Sequence, residues 1–238
     1  SNIEDNSETR VYKKNSTSWQ QVAGFVDGYS GDAVISDNTF FRQKVEWPDE
    51  STVNHYYEFY EKSSGNWSNP ILKRSIVVDN QEERIMNASN FGETIAILSS
   101  HETTNSYYDI KLHIMEKVMG NWPNSPVQSL DAGQIPFRTG IVTLSHDDNT
   151  IVTVNSVDWS ENSEIYIFEK VNGVWSQTAT IKNIEDRVYD LDIKGDNLII
   201  STFPRILNTN YYNSTGQVYV FEKPSIGWYD DLSPIAQL

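Results

Sequence analysis

The sequence predicts an all-β protein, a β-propeller of four-stranded antiparallel blades, and three observations lead to this prediction. A short motif that ends in Trp recurs five times along the 238 residues. Each full repeat holds runs of β-branched and aromatic residues that are separated by Asn, Asp and Gly, which is typical of strands and turns. Periods of about 40–50 residues that contain several strands are typical of propeller blades.

The recurring motif places a Lys five residues before a Trp, and an aromatic residue or Met two residues before that Lys. Its copies are VYKKNSTSW (11–19), FYEKSSGNW (59–67), IMEKVMGNW (114–122), IFEKVNGVW (167–175) and VFEKPSIGW (220–228). Because all five share one internal spacing without gaps, they identify a repeat protein. About five blade motifs are therefore expected.

The strands of one repeat are clearest in the fourth unit. We expect them at 140–145, 150–155, 164–170 and 175–181, with a hairpin turn at Asn172-Gly173. The same pattern predicts that the repeated Trp opens the fourth strand of every blade. The first unit holds only the segments of the third and fourth strands, so the first blade is expected to be incomplete.

We expect one domain over residues 1–238, because no Gly-, Ser- or Pro-rich linker divides the chain. The predicted blade units are about 10–22 (partial), 23–74, 75–130, 131–182 and 183–238. Residues 1–9 are interpreted as the remnant of a purification tag followed by a disordered lead-in.

Composition excludes several classes of protein. A net charge of −15 disfavours nucleic acid as a partner, because such a surface repels phosphate. No run approaches the roughly 18 apolar residues of a spanning helix, so we expect no membrane insertion. The chain has no Cys, which rules out disulfides and thiolate metal sites.

The third-strand segments VYVF (218–221) and IYIF (165–168), each followed by Glu-Lys and a Trp segment, resemble FG-GAP-type repeats. Such repeats form the blades of integrin α-like propellers and of many bacterial surface proteins. The resemblance implies a propeller that lies outside the cell, at its surface or in the periplasm. The turns SDNT (36–39), NFGET (90–94), HDDNT (146–150) and KGDN (194–197) lack the oxygen ligands of a calcium cage, so no metal or cofactor is expected.

The repeated tryptophans are predicted to be structural and to pack between neighbouring blades. The repeated Glu-Lys pairs are predicted to face water at the end of the third strand, where they protect strands near the sheet edge from pairing with other chains.

Aromatic residues that the repeat does not explain are the binding candidates. Trp47 and Trp159 lie in predicted loops between second and third strands, and Asp49 lies beside Trp47. The corresponding loop of the fifth unit is long, and its candidates are Phe203, Arg205, Tyr211 and Tyr212.

We therefore expect a non-enzymatic binding or scaffold module that contacts a protein or a glycan through these loops on one face. A polysaccharide-active enzyme with its site at the mouth of the central channel is the alternative, and Asp190 and Asp192 would have to converge there. A purely structural role is the third possibility, either as part of a larger propeller or through self-association at the incomplete blade.

Overall fold

The structure is a computed structural model, and it describes residues 8–14, 16, 18–26, 29–35, 38–46, 54–78, 83–103, 107–136, 141–147, 149–156, 163–184, 187–203 and 216–238. The strands are β1 (Glu8–Lys14), β2 (Trp19–Val26), β3 (Tyr29–Ile35), β4 (Thr39–Glu46), β5 (Asn54–Ser63), β6 (Asn66–Val78), β7 (Glu83–Phe91), β8 (Thr94–Glu102), β9 (Tyr107–Glu116), β10 (Gln128–Pro136), β11 (Ile141–Asp147), β12 (Thr150–Ser156), β13 (Ser163–Val171), β14 (Val174–Ile184), β15 (Arg187–Lys194), β16 (Asn197–Phe203), β17 (Val218–Glu222) and β18 (Ala236–Gln237). Within these residues, no helix has the length and apolar character needed to cross a membrane.

The strands form five sheets in chain order. The first sheet contains β1 and β2, and the other four have the orders β3-β4-β5-β6, β7-β8-β9-β10, β11-β12-β13-β14 and β15-β16-β17-β18. Each four-stranded sheet is therefore a meander in which consecutive strands are neighbours. Repeated four-stranded meanders are the blades of a β-propeller, so the predicted fold class is confirmed.

The first sheet has two strands, as the sequence predicted, and both belong to the repeated motif. The predicted hairpin turn at Asn172-Gly173 is also confirmed. Both residues have positive φ, 52° and 81°, between the paired strands β13 and β14. This left-handed geometry matches the twist of a tight hairpin.

The prediction that the repeated Trp opens every fourth strand was wrong for two sheets. In the third sheet β10 begins only at Gln128, after Trp122. Pro123 and Pro126 intervene, and proline cannot donate a hydrogen bond to a neighbouring strand. In the fifth sheet the outer strand is only Ala236–Gln237, because Asp231 has a positive φ of 55° and Pro234 follows.

The fourth strands of four sheets run past the predicted ends of their units. β2 continues to Val26, β6 to Val78, β10 to Pro136 and β14 to Ile184. The single domain over the whole chain stays a prediction. By compactness the chain divides into an N-terminal unit (Ser1–Ile85, Asn90–Ile95 and Ile114–Val127) and a C-terminal unit (Met86–Ser89, Ala96–His113 and Gln128–Leu238).

In the N-terminal unit, the repeated Trp of one sheet packs against the third strand of the preceding sheet. The ring of Trp122 stacks on Phe59 of β5, with centroids 4.9 Å apart and planes at 28°. Trp67 belongs to one buried cluster with Val11 of β1 and Phe40. Aromatic burial of this kind supplies a large share of packing energy.

The same contact recurs in the C-terminal unit. Trp228 lies in a buried cluster with Ile165 and Ile167 of β13, in the preceding sheet. Trp175 is fixed through its backbone, whose N–H donates to Oε1 of Gln128 on β10 at 2.9 Å. The structural role that the sequence assigned to the repeated tryptophans is confirmed for four of the five.

The exception is Trp19, which is 65% exposed, while Trp67, Trp122, Trp175 and Trp228 are 7%, 2%, 2% and 5% exposed. The contacts described above for the four buried tryptophans all include residues of the preceding sheet. Trp19 lies in the first of the described sheets.

The prediction that the repeated Glu-Lys pairs face water was wrong. The ammonium of Lys117 lies 2.7 Å from Oε1 of Glu61, the acid of the preceding motif. In the C-terminal unit, Lys223 lies 2.7 Å from Glu169 in the same way. The pairs therefore connect consecutive sheets, because the end of one third strand lies beside the end of the next.

A buried polar network occupies the second sheet. Nε of Arg42 donates to Oε2 of Glu58 at 2.8 Å, and the hydroxyl of Tyr60 donates to the same oxygen at 2.8 Å. Burial, followed by the hydrogen bond to Glu58, raises the pKa of Tyr60 to about 12. The phenol therefore stays neutral and remains a donor throughout the physiological range.

A second network joins β10 to the fourth sheet within the C-terminal unit. Nδ2 of Asn155 donates to the carbonyl of Ala132, and the hydroxyl of Tyr166 donates to Glu164. Burial alone would raise the pKa of Glu164, but hydrogen bonds from Tyr166 and Lys182 outweigh it, so that pKa is lowered. Burial, and then the bond to Glu164, raises the pKa of Tyr166.

This network has space for its side chains because residue 133 is a glycine. It has a φ of 87°, and a Cβ there would lie 2.6 Å from both Nδ2 of Asn155 and the hydroxyl of Tyr166. Any larger residue would push these two side chains out of their hydrogen bonds.

We predict that Gly133→Ala destabilises the protein more than Gly173→Ala does. Both glycines have positive φ, but nothing lies within 4 Å of a Cβ at Gly173. Gly173→Ala should therefore cost only about 1 kcal/mol of backbone strain, whereas Gly133→Ala should cost about 1–3 kcal/mol more through overpacking. Urea unfolding of both variants measures this difference, and equal losses would show that the contacts of Gly133 are unimportant.

Candidate functional site

The repeat brings the end of each third strand beside the turn between the first and second strands of the same sheet. In the N-terminal unit, backbone N–H groups of Lys62 and Lys117 donate to the carbonyls of Asn38 and Glu93, at 3.3 and 3.1 Å. In the C-terminal unit, Lys170 and Lys223 donate to Asn149 and Asp196 at 2.9 and 2.7 Å. The repeated lysines and these turns therefore share one end of their sheets.

A cleft of about 440 Å³ opens at this end in the N-terminal unit. Its lining residues come from the turn before β4, from the turn between β7 and β8, and from the end of β9. They are Asn38, Thr39, Asn90, Phe91, Gly92, Glu93 and Lys117. A volume of this size accommodates a small ligand.

The charged wall of the cleft is built around Lys117. Its ammonium lies 2.7 Å from Oε1 of Glu61 and 3.8 Å from Oε1 of Glu93, and it lies 5.4 Å from the ring centroid of Trp122. The lysine side chain is nearly buried, whereas the Glu93 side chain is exposed. The cleft therefore offers an exposed carboxylate beside a cation that a second carboxylate holds in place.

The polar wall of the cleft is centred on Asn90. Its Nδ2 donates to the carbonyl of Thr39 at 3.1 Å, which ties the two turns together. Its Oδ1 is buried and makes no hydrogen bond within the described part of the chain. An unsatisfied buried acceptor costs about 1–3 kcal/mol, so a ligand donor that reached it would be favourable.

Phe91 completes the cleft. It is the last residue of β7, and Gly92 after it has a φ of 61°, which turns the chain sharply before β8. The ring is 39% exposed. The turn therefore leaves an aromatic ring accessible beside polar groups.

In the C-terminal unit, the first strands of the fourth and fifth sheets are joined by side-chain hydrogen bonds near these turns. The hydroxyl of Ser145 donates to Asp192 at 2.8 Å and accepts from the backbone N–H of Ile193 at 3.3 Å. The N–H of Gly195 donates to the carboxylate of Asp147. These hydrogen bonds link the fourth and fifth sheets at this end.

Six of the seven binding residues predicted from the sequence lie outside the described residues. They are Trp47, Asp49, Trp159, Arg205, Tyr211 and Tyr212. The seventh, Phe203, is the last residue of β16 and is 54% exposed. Its ring meets that of Tyr189 edge to face, with centroids 4.9 Å apart. The role of all seven predicted residues in binding stays a prediction.

The acids of the alternative enzyme reading, Asp190 and Asp192, are exposed on β15. Oδ1 of Asp190 accepts from the backbone N–H of Leu191 at 2.9 Å, and Asp192 accepts from Ser145. Among the residues that the structure describes, no group of three or more His, Asp and Glu side chains could hold a metal ion.

Sequence reasoning missed the cleft. The cleft residues Asn38 and Thr39, and those from Asn90 to Glu93, belong to segments considered above as calcium loops, which lack the required acids. The signal in the sequence was Phe91-Gly92, an aromatic residue in a turn that the repeat does not require. What the sequence could not show is that Asn38, Asn90 and Lys117, from distant segments, lie around it.

No protein-family model and no curated protein matches the chain. Solved structures that resemble it include a mutant of the GH32 β-fructofuranosidase of Bombyx mori in complex with sucrose, with a TM-score of 0.44 and 11% identity over 87% of this chain. Another is the computationally designed Ika8 protein, with a TM-score of 0.41 and 8% identity over 87% of this chain. The chain covers 48% of the first structure and 60% of the second, and neither likeness shows a ligand or an activity for it.

We predict that the two carboxylates beside Lys117 contribute unequally to stability. Glu61→Gln should lower the free energy of unfolding by about 1 kcal/mol or more, because the partly buried ion pair at 2.7 Å is lost. Glu93→Gln should change it by less than about 0.5 kcal/mol, because its pair is long and exposed. Chemical unfolding of both variants measures this, and a larger loss for Glu93→Gln would contradict the assignment.

Proposed function

We propose that this protein is a non-enzymatic binding module and that the cleft around Phe91 holds a neutral glycan. The observation that carries the proposal is the exposed ring of Phe91 beside polar groups in a cleft of about 440 Å³. A sugar ring offers an apolar face to an aromatic ring and hydroxyls around its edge. These are the two kinds of surface that the cleft offers.

The hydrogen-bonding groups support a polyhydroxylated ligand. The carboxylate of Glu93 accepts, the ammonium of Lys117 donates, and the amide of Asn38 does both. Sugar hydroxyls also donate and accept, so they satisfy a mixed set of this kind. The unsatisfied Oδ1 of Asn90 adds an acceptor that a hydroxyl could reach after a small movement of the side chain.

The charge of the site favours a neutral ligand over an anion. Lys117 is already held by Glu61 at 2.7 Å, and the whole chain has a net charge of −15. A phosphate or an acidic sugar would have to enter against this negative potential.

The FG-GAP-type repeat and a location outside the cell belong to this proposal. The third strands β13 and β17, which contain IYIF and VYVF, support the repeat type. The loops around Trp47 and Trp159 would form a second contact surface, since they follow second strands, whereas the cleft lies beside turns that precede them.

The test is a broad array of neutral and acidic glycans with the purified chain and three variants. We expect binding to a neutral glycan that falls about tenfold or more in Phe91→Ala, because a buried aromatic contact is worth more than about 1 kcal/mol. Tyr229→Ala, which removes an exposed ring of the C-terminal unit that does not line the cleft, is the control and should bind normally.

Phe203→Ala separates the two proposed surfaces. If it abolishes binding while Phe91→Ala does not, the predicted loop surface is the site and the cleft is not. If no glycan on the array binds the chain, the glycan proposal is overturned, and a protein partner or a structural role remains. Cleavage of a bound glycan that Asp190→Asn or Asp192→Asn removes would favour the enzyme alternative.

A further inference from the structure

The hairpin tip that follows β9, residues 118–121, lies directly beside the cleft in the N-terminal unit. Lys117 lines the cleft, and its backbone N–H donates to the carbonyl of Glu93, a second lining residue, at 3.1 Å. Val118 and Met119 are the next two residues, so the Cα of Met119 lies within about 7.6 Å of that of Lys117. A ligand that extends out of the cleft past Lys117 therefore reaches this tip.

The tip exposes two apolar side chains to solvent. Met119 is 97% exposed and Val118 is 55% exposed, whereas Met115, on β9, is fully buried. A methionine side chain is flexible and polarisable, so it adapts to apolar groups of varied shape. The tip therefore offers an adaptable apolar surface next to the polar groups of the cleft.

Met119 also has a backbone conformation that disfavours a long side chain. Its φ of 51° lies in the left-handed region, which costs free energy for residues with a Cβ. The equivalent turns of the second and fourth sheets have short polar residues at this position, Ser64 with a φ of 50° and Asn172 with a φ of 52°. Backbone strain that is kept at one position is an indication of function.

Hydrogen bonds hold the tip in one conformation. The N–H of Val118 donates to the carbonyl of Asn121 at 2.9 Å, and the N–H of Asn121 donates to the carbonyl of Val118 at 3.1 Å. Nδ2 of Asn121 donates to the carbonyl of Met119 at 3.2 Å. Because the tip is already ordered, an apolar group can bind there with little loss of loop entropy.

We propose that the ligand of the cleft is amphiphilic, a neutral sugar that carries an apolar group, as in an alkyl or aryl glycoside. The sugar lies on Phe91, and the apolar group lies on Val118 and Met119. This inference rests on the proposed function, because it takes the cleft to hold the sugar. An unsubstituted sugar has hydroxyls around its edge and leaves both exposed apolar side chains in water.

The test is isothermal titration calorimetry with methyl and hexyl glycosides of glucose, galactose, mannose and N-acetylglucosamine, at concentrations where the hexyl glycosides are monomeric. Each buried methylene group is worth about fourfold in affinity, so we expect a hexyl glycoside to bind about tenfold or more tightly than the methyl glycoside of the same sugar. Met119→Asn should reduce this ratio by about threefold or more, on the same grounds. Phe91→Ala should weaken the binding of both glycosides.

The variants introduce residues that the chain itself has at equivalent positions. Met119→Asn introduces the residue type of Asn172, so the turn should form with less strain. Val118→Ser introduces the residue type of Ser63, and it should also reduce the ratio. Val171→Ser is the matched control, because Val171 holds the position of Val118 in the fourth sheet, is 56% exposed and does not line the cleft.

The outcomes separate this inference from the proposed function. If methyl glycosides bind and hexyl glycosides bind no more tightly, the inference is overturned and the proposed function stands. A gain in affinity that survives Met119→Asn combined with Val118→Ser would also overturn it, as would an equal loss in Val171→Ser. If no glycoside of the series binds, the inference is overturned, and the glycan array decides the proposed function.

Discussion

The structure depends on one packing contact, in which the Trp of a repeat lies against the third strand of the preceding sheet. Trp122 on Phe59 shows it directly, and Trp67 and Trp228 repeat it in buried clusters. Other regularities follow from this contact. Because it aligns the ends of neighbouring third strands, the acid of one motif meets the lysine of the next, as in Glu61 with Lys117. Stability in such an array is largely a sum of contacts between neighbours.

The proposed binding site lies beside two turns that leave a cleft between them. In the C-terminal unit, Ser145 of β11 donates to Asp192 of β15, and the N–H of Gly195 donates to Asp147. In the N-terminal unit, the side-chain amide of Asn90 donates to the carbonyl of Thr39, and a cleft lies beside these turns. The exposed ring of Phe91 beside the polar groups of this cleft is the basis of the glycan proposal.

The fold was predictable because it follows from local patterns in the sequence. The spacing of the motif identified the repeat, and alternating β-formers located strands such as β12, β13 and β16. The late start of β10 was missed because the motif alignment placed a strand at Trp122 and took no account of Pro123 and Pro126, which follow it. The cleft was not predictable, because Asn38, Phe91 and Lys117 come together only through packing between sheets. The ion pair of Glu61 with Lys117 was also not predicted, because it joins two sheets. In the sequence, each Glu-Lys pair by itself is compatible with a strand end that faces water. Phe203 was correctly predicted to be accessible, but its role in binding is a matter for experiment.

The measurement that tests the central claim most directly is the free energy of unfolding of Trp228→Ala compared with Trp19→Ala, in dilute solution. The two residues hold the same position in the motif, but Trp228 is buried against the preceding sheet whereas Trp19 is exposed. The account predicts a loss of about 3–5 kcal/mol for Trp228→Ala, as for a large side chain removed from a core, and a change within about 0.5 kcal/mol for Trp19→Ala. Equal losses at the two positions would contradict the claim that contact with the preceding sheet is the source of stability.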